Sequence, residues 1–239
     1  ATSGLSGGVV SDVDLAVHGG EIVGVAGLLG SGRSTLLELI AAARRRTAGQ
    51  IDLEGRTLGS TVTATAAAGI SYLPEKRTSA GFYGLDVMTN LTAGSLDQYV
   101  TAGRIRHGRE RTAASKFVER YAIKTRGVDS LLEQLSGGNQ QKTLVGRLVE
   151  SQPSVLLLDE PTQAVDIGAR GEIHGFIREL ATAGVGCLVV SSDLEELSML
   201  CDRVLVMHEG RIRTELHADE LGVPDALLAA VYQETENHE

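Results

Sequence analysis

Three short strings carry residue types whose spacing suits phosphate and metal chemistry. The first is Gly27-Leu28-Leu29-Gly30-Ser31-Gly32-Arg33-Ser34-Thr35, which follows an apolar run and precedes a helical pattern. Glycines at 27, 30 and 32 let the main chain turn so that its N–H groups converge on a phosphate, and the N-terminus of the following helix adds positive potential. The Ser34 hydroxyl is placed to ligand Mg²⁺, and Ser31 and Thr35 complete the nucleotide-binding candidates. Arg33 stands where this pattern carries lysine. Its planar fork still attracts phosphate but lacks the compact geometry of an ammonium. The second string is Val155-Leu156-Leu157-Leu158-Asp159-Glu160-Pro161-Thr162, a buried-strand pattern ending in two carboxylates. Charges at such a strand end face the ligand crevice of a parallel sheet. Asp159 is suited to the Mg²⁺ shell, Glu160 to polarising an attacking water. The third is Leu135-Ser136-Gly137-Gly138-Asn139-Gln140-Gln141, before another helical pattern. Ser136 and the glycine N–H groups can grip an anion there. Taken alone, each string has a plainer meaning: a glycine turn, a solvated strand end, an ordinary helix cap.

The elements that must position these strings alternate along the chain. Val9–Val17 alternates weakly. Glu21–Ala26, Gln50–Glu54, Ile70–Leu73, Val155–Leu158, Gly186–Ser191 and Arg203–His208 read as strands, and Ser34–Arg45 as a helix. Continuous apolar strands followed by helices predict a mostly parallel sheet covered on both faces, an α/β fold. From about Gly84 to Glu150 no strong strand occurs, and Arg109–Tyr121 and Gln140–Val149 are helical, so this interval is expected to be a helical insertion. The polar segment Gln233–Glu239 is expected to fray.

Composition narrows the class. The chain has 239 residues, 42% hydrophobic and 3% aromatic with no Trp, so aliphatic side chains must build the core. Nothing approaches the roughly 20 apolar residues of a membrane span, and the start, ATSGLSGGVV, lacks the pattern of a signal peptide. A net charge of −9 argues against a general nucleic-acid binder. Cys187 and Cys201 are expected to be buried apolar residues in a reducing compartment.

Together the motifs resemble the ATP-binding-cassette ATPases. GLLGSGRST, LSGGNQQK, LLLDEPT, Ala164-Val165-Asp166 and SSDLEEL occur in that family's order, from about Val10 to Glu215. GRST, YLPEKRTSAGF, DEPTQAVDIGAR and DRVLVMHEGRI look like the C-terminal cassette of two-cassette bacterial sugar importers of the ribose, galactose and xylose type. The resemblance implies a P-loop ATPase core with a small antiparallel β subdomain and an inserted helical subdomain, and a single nucleotide-binding domain over 1–239 that is a fragment of a longer chain. It implies ATP and Mg²⁺. Gly27 to Thr35, Asp159 and Glu160 would form one composite site. Ser136, Gly137, Gly138, Asn139 and Gln140 would face the phosphate loop of a second cassette, with Asp166 in the adjoining loop. Implied partners are that cassette, membrane permease subunits and, indirectly, a periplasmic or lipid-anchored sugar-binding protein, with no nucleic acid. The implied location is cytoplasmic, on the inner face of the cell membrane.

Four features depart from the family pattern. Besides Arg33, Pro74 stands at the loop glutamine with Glu75 beside it, and Ser192 stands where the switch histidine usually sits. No aromatic residue precedes Tyr72 to form an adenine platform. They suggest the degenerate half of an asymmetric pair. Glu75, Lys76, Arg77, Phe82 and Tyr83 fall in the segment that, by resemblance, receives a permease helix; local packing explains them equally well. Alternatives to a sugar-import ATPase are a nucleotide-binding dimerisation module with little turnover, a nucleoside-importer ATPase, and a cassette serving chromosomes or ribosomes. The last is disfavoured by the absence of heptads and of a basic patch.

Overall fold

A computed structural model describes residues 1–223 and 225–236. Along the chain come β1 (Thr2–Gly7), β2 (Val10–Leu15), β3 (Ile22–Ala26), α1 (Arg33–Ile40), β4 (Ala48–Leu53), β5 (Arg56–Thr57), α2 (Val62–Ala67), β6 (Ile70–Leu73), α3 (Arg77–Ala80), α4 (Val87–Thr92), β7 (Val100–Thr101), β8 (Arg104–Ile105), α5 (His107–Arg120) and α6 (Gly137–Glu150). They are followed by β9 (Val155–Asp159), α7 (Ile167–Thr182), β10 (Gly186–Val190), α8 (Leu194–Leu200), β11 (Arg203–His208), β12 (Arg211–His217), α9 (Ala218–Leu221) and α10 (Ala226–Glu236). The chain divides into two compact units. The first holds Ala1–Tyr72, Ser154–Glu160 and the residues from Arg178 on; the second holds Leu73–Pro153 and Pro161–Ile177.

In the first unit a six-stranded sheet has the order β12-β11-β3-β10-β9-β6. β10 runs parallel to both β3 and β9, and β11 runs parallel to β3, while β12 closes the edge antiparallel to β11. Every residue of β3 and β10 is buried, which is why these strands read as unbroken apolar runs instead of alternating. A second, antiparallel sheet has the order β2-β1-β4-β5. Leu5, Val13 and Ile51 from it join Val23, Val25, Leu36, Leu37, Leu157 and Leu205 in one core. The thiols of Cys187 and Cys201 are free and buried; burial pushes that of Cys187 up to about 12.

The sequence pattern extends the helix after the phosphate loop to Arg45, but α1 stops at Ile40. Ala42 takes a left-handed φ of 57°, and the buried Thr65 hydroxyl donates to the Ala41 carbonyl at 2.9 Å, satisfying an orphan acceptor of the helix end. β1 has no counterpart in the pattern reading, because TSGLSG is poor in the β-branched and aromatic residues that mark strands. At the other end α10 extends to Glu236; residues 237–239, the last part of the segment expected to fray, lie outside those described.

The second unit is mainly helical. Val87, Leu91, Ala114, Phe117, Tyr121, Ile123, Val128 and Leu135 form its core, with Tyr121 against Phe117 at 4.1 Å and edge-on to Phe176 at 4.4 Å between ring centroids. It is wider than the 84–150 insertion, beginning at Leu73 and including Pro161–Ile177. The buried Lys142 of α6 donates to the Ala122 carbonyl and to Glu172 Oε2, the latter at 2.8 Å, so its charge is paired and hydrogen-bonded. No helix among the described residues is long and apolar enough to cross a membrane.

The turn between β11 and β12 braces the phosphate loop. Gly210 N–H donates to the Ser31 carbonyl, and its own carbonyl accepts from Ser11 N–H, both at 2.9 Å. Its φ is 75°, and a Cβ would overlap the Val9 carbonyl oxygen. Gly210→Ala is therefore expected to cost about 3 kcal/mol, combining a left-handed penalty of ~1–2 kcal/mol with backbone displacement. Gly222→Ala, where a Cβ meets nothing nearer than 3.6 Å, should be close to neutral. Denaturant titration of the two variants checks this; equal stabilities would contradict the bracing role.

Candidate functional site

The parallel pairing in the central sheet brings distant segments to one edge. Val190 of β10 is in register with Val25 of β3 on one side and Asp159 of β9 on the other. The chain leaving β3 is Gly27–Thr35, β9 ends in Asp159 followed by Glu160, and β10 is followed by Ser191-Ser192. All three exits share the carboxyl edge of the sheet, where open α/β sheets bind ligands.

The phosphate-loop candidates form a tight turn into α1. Ser31 N–H donates to the Leu28 carbonyl at 3.0 Å. Gly27 has φ 152°, and a Cβ there would overlap the Met207 carbonyl and lie 2.6 Å from Ser31 Oγ. Gly32 begins α1 with no side-chain cap, so its first N–H groups lack a side-chain acceptor. Ser31 is 5% exposed and its Oγ has no hydrogen-bond partner, while a Cβ on Gly30 would meet nothing within 4 Å. An uncapped helix start, an orphaned buried hydroxyl and open space beside a glycine fit a bound phosphate group. The side chains reaching Gly32 from upstream are aliphatic: Val9 and Val10 γ-methyls lie 3.3 and 3.4 Å from a Cβ built there.

Ser34 Oγ donates to Asp159 Oδ1 at 3.1 Å, with Asp159 1% exposed. A hydroxyl and a carboxylate in contact make an oxygen donor pair of the kind Mg²⁺ accepts. Glu160 follows with φ 50°, unusual for a non-glycine residue, held by its N–H to the Val190 carbonyl at 2.9 Å. Burial raises the Glu160 carboxyl above its ordinary value, opposed by hydrogen bonds from Ser192 and the nearby Arg33 charge. Ser192 Oγ donates to Glu160 Oε2 at 3.1 Å, and Arg33 Nη1 donates to the Ser191 carbonyl at 2.8 Å.

Ser191 is not marked as a site residue by any of the sequence motifs. Its buried Oγ donates to Glu196 Oε2 at 2.6 Å and accepts from Asp193 N–H at 3.1 Å. The available signal was local: Asp193 caps α8 through Glu196 N–H at 3.1 Å, and Asp-x-x-Glu after a strand is a helix-start pattern.

The remaining candidates lie in the second unit. Pro74, half-buried, and Glu75, exposed, follow β6. Ser136 begins α6, its Oγ accepting from Asn139 Nδ2 at 2.7 Å, and Gln140 Nε2 donates to the Leu135 carbonyl at 3.0 Å. A Cβ on Gly138 would lie 2.7 Å from Ala169 Cβ, so α6 and α7 touch there. Asp166 Oδ1 accepts from Ala169 N–H at 3.0 Å, and this bond holds its exposed carboxyl below the usual range. Phe82 is 49% exposed, yet its main chain is pinned by buried Asn90 through two hydrogen bonds of 2.9 Å, with the Arg147 guanidinium 5.3 Å from its ring centroid.

The family model described as ABC transporter matches residues 10–163. A ribose import ATP-binding protein of Rhizobium meliloti is 43% identical over 91% of this chain and 43% of its own length. One of Chromobacterium violaceum is 40% identical over 85% of this chain and 41% of its own. The chain thus spans less than half the length of these curated relatives. An ATP-binding cassette of an ABC transporter solved in its ADP conformation shares the fold at TM-score 0.80 and 21% identity, over 100% of this chain and 98% of that one. A dimeric cassette bound to ADP and Pi does so at TM-score 0.77 and 22% identity, over 91% and 96%.

The two adjacent serines should behave oppositely on truncation. Ser191→Ala leaves the buried Glu196 without one charge-assisted bond and is expected to cost about 2 kcal/mol. Ser192→Ala removes an exposed hydroxyl and should change stability by less than about 0.5 kcal/mol. Urea unfolding of both variants tests this; similar losses would place the structural role on the wrong serine.

Proposed function

The chain belongs to the ABC transporter family, and from that premise we propose that it is an ATP-binding and ATP-hydrolysing cassette that energises import of a sugar through a separate membrane permease. One observation carries the reading: the exits of β3, β9 and β10 gather Arg33, Ser34, Asp159, Glu160 and Ser192 at one sheet edge. The sugar class is taken from the names of the ribose-import relatives. In this reading residues 1–239 are one nucleotide-binding domain, with a helical insertion about 84–150, in a longer polypeptide carrying a second cassette. It works at the inner face of the membrane, where a periplasmic or lipid-anchored binding protein delivers sugar to the permease. The pinned, exposed Phe82 is a contact point for that permease.

The residues divide the work by chemistry. Loop N–H groups from Gly27 to Thr35 hold the phosphates, with Arg33 adding charge. Ser34 and Asp159 would hold Mg²⁺, which neutralises phosphate charge. Glu160, with its raised proton affinity, accepts the proton of the attacking water, and the Ser192 hydroxyl orients it. The hydroxyl cannot bring a positive charge to the terminal phosphate as a histidine does. Together with Arg33, Pro74 and the aliphatic Val9–Val10 pair, this supports a weakened half-site here. Ser136 to Gln140 close over the stronger site of the second cassette, with Asp166 beside them. A nucleotide-binding dimerisation module with little turnover is the second reading, favoured by the commitment of Arg33 to the Ser191 carbonyl.

Carboxylate substitutions separate the two. Glu160→Gln should keep Mg-ATP binding within about threefold and lower single-turnover hydrolysis by ~100-fold or more. Asp159→Asn should weaken Mg²⁺-dependent binding by about tenfold. Unchanged hydrolysis in Glu160→Gln would remove Glu160 as the base. In the two-cassette protein with its permease, Arg33→Ala should lower steady-state ATPase only a few-fold. Gly137→Asp, filling the anion cradle with a carboxylate, should lower it by roughly 100-fold, at ~1.4 kcal/mol per tenfold. The reverse order would put the main hydrolytic site in this chain.

A further inference from the structure

A patch of positive charge stands against the chain's net charge of −9. It lies in the second unit, on the hairpin of β7 and β8 and the residues that follow it. No acidic residue occurs from Gln98 to Arg109, while Arg104, Arg106 and Arg109 fall close together. Every residue from Val100 to Arg109 is exposed. None of the three arginines enters an ion pair or a side-chain hydrogen bond among the described residues, whereas Arg111, further along α5, spends its fork on Asp129 at 2.5 and 2.6 Å. Val100 and Ile105 are direct cross-strand partners, 41% and 38% exposed. An aliphatic pair and unpaired arginines thus share one ribbon. The other arginine run, Arg44-Arg45-Arg46, is mostly spent internally: Arg44 pairs with Glu38 at 2.6 Å, and Arg46 donates to the Ser60 hydroxyl at 2.9 Å.

The ribbon is fixed from its base. An isolated two-stranded hairpin is marginal in water, so its supports matter. Arg106 N–H donates to the Tyr99 carbonyl at 2.8 Å, and φ is 51° at Ala102 and 72° at Gly103, positive at both turn positions as a type I′ turn requires. Buried Tyr99 donates its hydroxyl to Glu150. Buried Glu110 accepts from the Thr92 hydroxyl at 2.8 Å and lies 3.0 Å from His107 Nδ1. These groups take no part in the chemistry at the sheet edge; they anchor the hairpin. Glu150 follows Arg147 by three residues in α6, and residues so spaced share a helix face. Arg147 holds the Phe82 ring and Glu150 holds the hairpin, so both are mounted on the last turn of α6.

We propose that this hairpin is a membrane-surface contact whose partner is a layer of anionic phospholipid headgroups. A lipid interface takes both halves of the patch at once. Headgroup phosphates attract the arginine forks, and the aliphatic pair enters the boundary beneath them. No Phe, Tyr or Trp occurs from Val100 to Lys116, so the segment offers nucleic-acid bases no stacking platform. The choice of a lipid surface over an acidic protein face rests on the function proposed above, which sets Phe82 against a permease; the charge and exposure of the hairpin do not.

The test is co-sedimentation of the 239-residue chain with vesicles of phosphatidylglycerol and phosphatidylcholine in equal parts, without nucleotide. The chain should bind them, should ignore vesicles of phosphatidylcholine alone, and should be released as salt rises from about 0.05 to about 0.5 M. Arg104→Gln, Arg106→Gln and Arg109→Gln should each lower the partition about fivefold, and together by roughly 100-fold. Arg104→Lys, Arg106→Lys and Arg109→Lys combined should stay within about threefold of the unaltered chain. Ile105→Ser should lose about fivefold with the salt dependence kept. Arg45→Gln, an equal change of charge elsewhere, should bind as the unaltered chain does. Circular dichroism reports that each variant is folded. No binding to the anionic vesicles, equal binding to phosphatidylcholine alone, or undiminished binding in the triple glutamine variant overturns the proposal. Capture of the chain by a polyglutamate peptide but not by vesicles assigns the patch to an acidic protein face and overturns it too. No arm needs ATP, so a failure here leaves the ATPase reading to its own carboxylate test, and a failure of Mg-ATP binding leaves the vesicle result standing.

Discussion

The parallel pairing of β10 with β3 and β9 determines where each reactive group of the first unit can be. All three strands are buried on both faces, where side chains pack closely, so a slip of one residue would overfill some positions and leave cavities at others. Register is therefore strongly held, and it sets Val25, Val190 and Asp159 side by side. Glycine loop, carboxylate pair and serine pair then emerge at adjacent points. None of these segments needs a special force to find the others, since the sheet delivers them.

Within that arrangement two of the four departures from the family pattern, Arg33 and Ser192, touch the same short segment. Arg33 donates to the main chain at Ser191, and Ser192 donates to Glu160. The longer fork of arginine reaches the strand exit, and the small serine hydroxyl lies against the carboxylate. Ser191 is fixed from below by Glu196, so the anchor for Arg33 is firm. Read residue by residue, each change looks like a loss. In three dimensions they form one connected network around Glu160, whose proton affinity reflects burial set against Ser192 and Arg33.

The second unit solves a different problem, which is to hold a helix start with free N–H groups. α6 is locked along its length by Lys142, by packing against α7 at Gly138, and at Gly146, where a Cβ would overlap the Phe117 ring. Gln141, also buried, donates to the Pro161 carbonyl at 2.7 Å. With the body of the helix fixed in this way, its first turn can remain uncapped beside the Arg77 guanidinium without fraying.

Several parts of this molecule are written locally. Apolar runs marked β6, β9, β10 and β11 nearly to the residue, and glycine and carboxylate spacing marked the loops, because burial on both faces and tight turns each demand particular residue types nearby. β1 was silent, since its serines and glycines carry no strand signal and its place comes from pairing with β2 and β4. The end of α1 depended on Thr65, a partner 24 positions from Ala41. The Arg33 contact spans 158 positions, and Arg77 meets Gly137 only after the second unit has packed. Periodicity and propensity are nearest-neighbour quantities, so they state which segments become strands, turns and helix starts. Which of those segments become neighbours is decided by strand order and helix packing, and that order exists only in the folded chain.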